Sequence, residues 1–187
     1  DVMEAFLTAT GLVALAEMGD KTQLLAIILA TRFKKPWPIV WGILIATLLN
    51  HALAGAVGTW VTTLISAETL KWILVASFVG MGIWTLFPDK EDDTTPETGK
   101  WGVLLTTIVV FFLAEMGDKT QLATVAIAAQ YSDFLPVVIG TTLGMMIANA
   151  PVVFLGEKLT RVLPLKVLRA VASALFLLFG AWIAFFS

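Results

Sequence analysis

Not one of the 187 residues is a cysteine, which excludes disulfides, thiolate metal ligands and cysteine nucleophiles. Charge is scarce as well: 14% of residues are Asp, Glu, Lys or Arg, against about 25% in a soluble domain. No basic tract of the kind that binds nucleic acid is present. The net charge of −2 says less than its distribution. Hydrocarbon fills the space instead, with 58% hydrophobic residues and a mean hydropathy of +0.90. The stretches 39–67, 134–156 and 170–187 contain no Asp, Glu, Lys or Arg at all. Runs of about 18 or more such residues read as membrane-spanning helices. A buried core helix of a soluble fold does not account for them, because nearly the whole chain behaves this way. The sequence therefore predicts an all-α integral membrane protein embedded in a lipid bilayer. It starts at Asp1 rather than Met, which leaves room for a segment upstream.

The runs predict six spans: 5–31, from Pro36 and Pro38 to about Leu64, 69–87, 101–130, from Pro136 to about Gly156, and 165–186. Proline at a span entrance fits the first helical turn, where no N–H bond is lost. Trp37, Trp60, Trp72, Trp84, Trp101 and Trp182 lie near the predicted ends, where interfacial anchors belong.

The run LAEMGDKTQL occurs twice, at 15–24 and 113–122. The same offset of 98 residues relates Pro38 to Pro136, Gly42 to Gly140, Gly58 to Gly156, Gly82 to Gly180 and Trp84 to Trp182. One gapless register through three helices means a duplicated unit. Residues 1–87 form the first repeat, 88–100 an acidic linker, and 101–187 the second. Three crossings leave the chain on the far side of the membrane, so the second copy is expected to be inverted, with a site where the copies meet. Nine basic residues (Arg32, Lys34, Lys35, Lys90, Lys100, Lys158, Arg161, Lys166 and Arg169) fall on one predicted face, and Lys71 alone on the other. The basic face is cytoplasmic by the positive-inside rule, which places both termini outside the cytosol. The linker PDKEDDTTPETGK reads as a solvated loop.

An ionisable residue at the centre of a bilayer costs at least about 2.5–3.5 kcal/mol on insertion scales. Each motif copy puts three there. On a continuous helix Glu17, Asp20 and Lys21 share a face, as do Glu115, Asp118 and Lys119, within an arc of roughly 100°. Gly19 and Gly117 interrupt the motifs, where a glycine admits a second backbone or lets the helix loosen. Carboxylates suit hard divalent cations, and Thr22, Thr120, Gln23 and Gln121 add neutral oxygens beside them. A simple intrahelical Glu–Lys pair would explain one copy; two copies in opposed halves favour a shared site. His51 and its offset partner Asn149 are polar positions inside spans two and five, either lining a route or bonding helices together. His51 is also a candidate proton relay, whereas Asn50 reads as an interhelical hydrogen-bonding residue. Met18 and Met116 offer soft thioethers but read more readily as packing residues. Glu4, near the end of span one, belongs either to an outer vestibule or to the membrane interface, and Glu68 and Glu157 read as interface charges.

The doubled E-x-G-D-K-[ST] motif, one copy in each hydrophobic half around an acidic loop, resembles the signature of the Gdt-type cation exchangers. That family has Golgi, chloroplast and bacterial members. The resemblance implies transport of Mn²⁺ or Ca²⁺ as substrate, in exchange for protons, with Glu17, Asp20, Glu115 and Asp118 binding the cation. The short chain is most similar to the bacterial manganese exporters, which implies Mn²⁺ export across a bacterial inner membrane, with a homo-oligomer compatible. Against this stand a divalent cation channel without proton coupling and an intramembrane enzyme using Glu and Lys as base and acid. An enzyme predicts one asymmetric catalytic set rather than two identical copies.

Overall fold

The computed structural model describes residues 1–87 and 102–186, so the linker with Lys90, Thr95 and Lys100 lies outside the described residues, as do Trp101 and the side chain of Glu157. The described chain is helical: α1 (Val2–Glu17), α2 (Lys21–Phe33), α3 (Pro36–Leu64), α4 (Ala67–Leu86), α5 (Gly102–Glu115), α6 (Lys119–Tyr131), α7 (Phe134–Leu155), α8 (Glu157–Val162) and α9 (Leu165–Phe186). Four of these, α3, α4, α7 and α9, are each long and apolar enough to cross a membrane. A fifth crossing results if α1 and α2, bent by 69° at their junction, count as one broken span.

The helix bounds follow local chemistry. Pro36 stands at the start of α3, where its missing N–H costs nothing. The Ser66 hydroxyl caps α4 by accepting from the Thr69 N–H at 3.3 Å. Lys34 and Ser132, 98 apart, both end their helices in the left-handed region. The 98-residue register holds in the elements: α2 and α6 are both 13 residues and start at Lys21 and Lys119. The stretch equivalent to unbroken α3 is divided at Gly156 into α7 and α8.

Polarity is inside out. Trp37, Trp41, Trp60 and Trp72 are exposed on the outer surfaces of α3 and α4, while Glu17, Asp20, Asn50, His51, Glu115, Asp118, Lys119 and Asn149 are buried. An apolar exterior around a polar interior is what a hydrocarbon solvent demands.

The two halves interweave. α1 packs on α7, and its counterpart α5 packs on α3; α4 packs on α9, and α3 on α7 and α6. Extensive contacts within a half are confined to α2 with α3, α6 with α7 and α7 with α8. Glycines permit the close crossings. A Cβ on Gly42 would lie 3.1 Å from the Leu104 carbonyl oxygen, and one on Gly140 would lie 2.7 Å from that of Phe6. Both residue pairs are related by the same offset.

The expectation of unbroken spans over 5–31 and 101–130 is corrected here. Each is divided at the motif, so Glu17, Asp20 and Lys21 do not share the face of one helix, and neither do Glu115, Asp118 and Lys119. The reason is backbone geometry at the central glycine.

Candidate functional site

Each motif is a helix stop followed at once by a helix start. Glu17 is the last residue of α1, Met18 turns extended (φ −61°, ψ 121°) and Gly19 takes φ +76°. Glu115 closes α5 in the same way, and Gly117 also takes φ +76°. An L side chain there would be strained, which explains glycine at both positions. Asp20 then caps α2, its Oδ1 accepting from the Lys21 N–H at 2.9 Å. Asp118 caps α6 through the Lys119 N–H at 2.8 Å.

The next residues of the motif tie the break together. The Thr22 hydroxyl donates to Glu17 Oε2, and the Thr120 hydroxyl donates to Glu115 Oε2 at 2.9 Å. Gln23 Oε1 accepts from the Gly19 N–H at 2.8 Å, and Gln121 Oε1 accepts from the Gly117 N–H at 2.6 Å. Threonine thus fixes one oxygen of each glutamate, and glutamine satisfies the amide freed by the break. Every polar position of E-M-G-D-K-T-Q except the lysine side chain is used locally, which is why the run repeats without a change.

The breaks bring acids from both halves together. One carboxylate oxygen from each of Glu17, Glu115 and Asp118 lies within 4.8 Å of the others, and all three residues are buried. Glu17 Oε1 and Glu115 Oε1 are buried with no hydrogen-bond partner. A buried acceptor without a donor asks for an explanation, and three converging carboxylates form a ready oxygen site for a divalent cation. Asp20 stands apart from this group. Its Oδ1 faces Lys119 Nζ at 3.7 Å, an ion pair between the halves with both side chains buried. Sequence reasoning did not identify that pairing; nothing in the spacing of a single motif signals a contact across 99 residues. Lys21, at the first position of α2, is half-buried.

The supporting residues divide between the two motifs. The Gln23 amide donates to the Ala148 carbonyl on α7 at 2.8 Å. The Asn50 amide, at the offset position on α3, lies 3.5 Å from Met116 Sδ. Met116 Sδ also faces the Gln121 amide at 3.6 Å, and Met18 Sδ faces the Gln23 amide at 3.9 Å. His51 Nδ1 pairs with the Thr141 hydroxyl at 2.9 Å, tying α3 to α7. The Asn149 amide donates to the Met145 carbonyl within its own helix at 3.0 Å. Glu4 accepts from the Tyr131 hydroxyl at 3.3 Å, joining α1 to α6 near their ends. Glu68 is exposed in the first turn of α4.

The chain matches the family described as "Divalent cation/proton antiporter GDT1" over residues 5–93 and 103–187. It is 47% identical over 186 residues to a Vibrio cholerae protein named "Putative manganese exporter", covering 99% of this chain and 92% of that one. It is 27% identical to a GDT1-like protein of Synechocystis, covering 96% of each chain. It is 24% identical to GDT1-like protein 5 of Arabidopsis thaliana, covering 96% of this chain and 94% of that one. No solved structure matches the chain. Apolar helices around a buried carboxylate cluster and a match over both halves lead to one conclusion: this chain belongs to the GDT1 family of divalent cation/proton antiporters.

Proposed function

We propose that the protein exports a divalent cation, Mn²⁺ foremost, from a bacterial cytoplasm in exchange for protons. The observation that carries this reading is the buried cluster of Glu17, Glu115 and Asp118, drawn from both repeats. Asp20 joins these residues as a fourth acid when the cation displaces Lys119 from it. The name of the Vibrio cholerae relative supports manganese over calcium, since both metals accept oxygen ligands. If α1–α2 and α5–α6 each make one broken crossing, residues 1–87 and 101–187 each cross three times and stand inverted, with 88–100 as a cytoplasmic linker. The lysine and arginine bias then puts both termini outside the cytosol.

The charges support exchange. Glu17, Asp20, Glu115 and Asp118 carry four negative charges when ionised, and Lys21 and Lys119 carry two positive. One divalent cation neutralises the remainder, and so do two protons. One cation out for two protons in is the resulting stoichiometry. Flux into proteoliposomes tests it, comparing Mn²⁺ with Ca²⁺, with and without a pH gradient. Mn²⁺ uptake accelerated by an opposing proton gradient is expected. Flux indifferent to the gradient would make the protein a channel.

A further inference from the structure

Three carboxylates do not complete the shell of a cation that takes six or more oxygens, and further acids would overcharge the site. Neutral oxygens are needed, and the interior holds one beside the second motif. Asn50 is fully buried on α3, and its Oδ1 has no hydrogen-bond partner. Leaving an amide oxygen buried in this way is unfavourable unless something bonds to it. The other end of the amide is fixed by its contact with Met116 Sδ at 3.5 Å. A thioether only accepts, so the nitrogen must face the sulfur and the oxygen must face elsewhere. Met116 directly follows Glu115, so the amide is anchored to the loop that delivers Glu115 and Asp118 to the cluster.

Asn50 also breaks the symmetry of the duplication. Its offset counterpart is Ala148, whose backbone carbonyl is taken by the Gln23 amide. The Ala148 backbone carbonyl is thus bonded to the first motif, whereas the Asn50 side-chain oxygen has no partner among the described residues. A framework that tolerates alanine at this position in one repeat has no packing need for asparagine in the other.

Resting on the reading of the carboxylate cluster as the cation site, we propose that Asn50 is a specificity-determining ligand, its Oδ1 entering the shell of the bound cation as a neutral oxygen. It stands where a water would otherwise remain. Mg²⁺ dehydrates reluctantly and keeps its waters, whereas Mn²⁺ and Ca²⁺ exchange them for protein oxygens more readily. Asn50 thus favours the larger cations over Mg²⁺ without adding charge.

The test uses the full-length protein in detergent, titrated calorimetrically with MnCl₂ and with MgCl₂. Asn50→Ala copies the residue of the other repeat, and thermal unfolding without metal confirms that it folds. It should weaken Mn²⁺ at least about tenfold, as loss of a supporting ligand does, and should narrow the preference for Mn²⁺ over Mg²⁺. Asn50→Leu keeps the volume without the oxygen and should weaken Mn²⁺ as much as Asn50→Ala does. Asn50→Ala should cost as much in a Met116→Leu background. If that cost vanishes there, Asn50 only positions Met116 and the proposal is overturned; an unchanged Mn²⁺/Mg²⁺ ratio overturns it equally. Glu115→Gln in the same titration separates the two readings. If Glu115→Gln abolishes binding while Asn50→Ala changes nothing, the cluster stands and Asn50 falls. Binding unaffected by Glu115→Gln removes the cluster itself.

Discussion

Lys119→Met removes the positive group that faces Asp20 Oδ1 at 3.7 Å. At that distance, with an effective dielectric near 20, the attraction is about 4 kcal/mol before desolvation is counted. Removing one partner of a buried pair costs about 3–5 kcal/mol, because a charge is left without compensation. The two single changes should not be equal. Lys119→Met leaves the buried Asp20 carboxylate without the lysine that faces it, so its desolvation stands uncompensated. Asp20→Asn leaves Lys119 still attracted by the Glu17 carboxylate, and asparagine still caps α2 through the Lys21 N–H. Lys119→Met should therefore be the more destabilising, and Asp20→Asn with Lys119→Met should recover at least about 1 kcal/mol relative to the sum of the singles. Denaturation in detergent with chelator present measures all four corners of the cycle, since bound cation would mask the difference. Added Mn²⁺ should then rescue Lys119→Met more than it stabilises wild type, supplying the charge that was removed. Strict additivity of the two substitutions would refute the coupling, and with it the view that Lys119 holds Asp20 in reserve.

Glu17→Gln and Glu115→Gln should each abolish Mn²⁺ flux in proteoliposomes and weaken Mn²⁺ binding by about 100-fold or more, with folding retained. Full activity in either would make that motif copy decorative. Metal binds only the ionised carboxylates, so a rise in pH should increase apparent Mn²⁺ affinity until the cluster is fully deprotonated, and about two protons should be released per metal in calorimetry across buffers. Gly140→Val forces a side chain against the Phe6 carbonyl and should cost about 1–3 kcal/mol in thermal unfolding. Single cysteines at Lys34, Thr95 and Leu163 should label from the cytoplasm, and one at Ser132 from outside. Labelling of Thr95 and Ser132 from the same side would overturn the inverted arrangement.

The motif acids were legible in the sequence because charge inside an apolar run has few uses. The extents of α3, α4, α7 and α9 were legible because proline, serine and long hydrocarbon runs mark their ends. The helix break was harder to read. Glu, Asp and Lys at i, i+3 and i+4 mimic one helical face, although Gly19 before Asp20 is also the stop-and-start pair of a C-terminal glycine and an N-capping aspartate. Helical periodicity puts the three charges of each motif on one face, and the break at Gly19 and Gly117 separates them. The sequence named all four motif acids, but not which three of them converge. Glu17, Glu115 and Asp118 converge while Asp20 faces Lys119, a division that depends on how α1 and α5 seat against α7 and α3. The open end of the Asn50 amide was not legible, because a sequence does not show which atom of an amide is left over.

The interweaving of the halves sets the order of events during synthesis. The ribosome delivers 1–87 first, yet α1 and α4 find their main partners, α7 and α9, only later in the chain. Until those helices arrive, Asp20 lacks the Lys119 that faces it in the finished fold. A nascent chain arrested at the linker is thus an unfinished and costly object rather than a stable half.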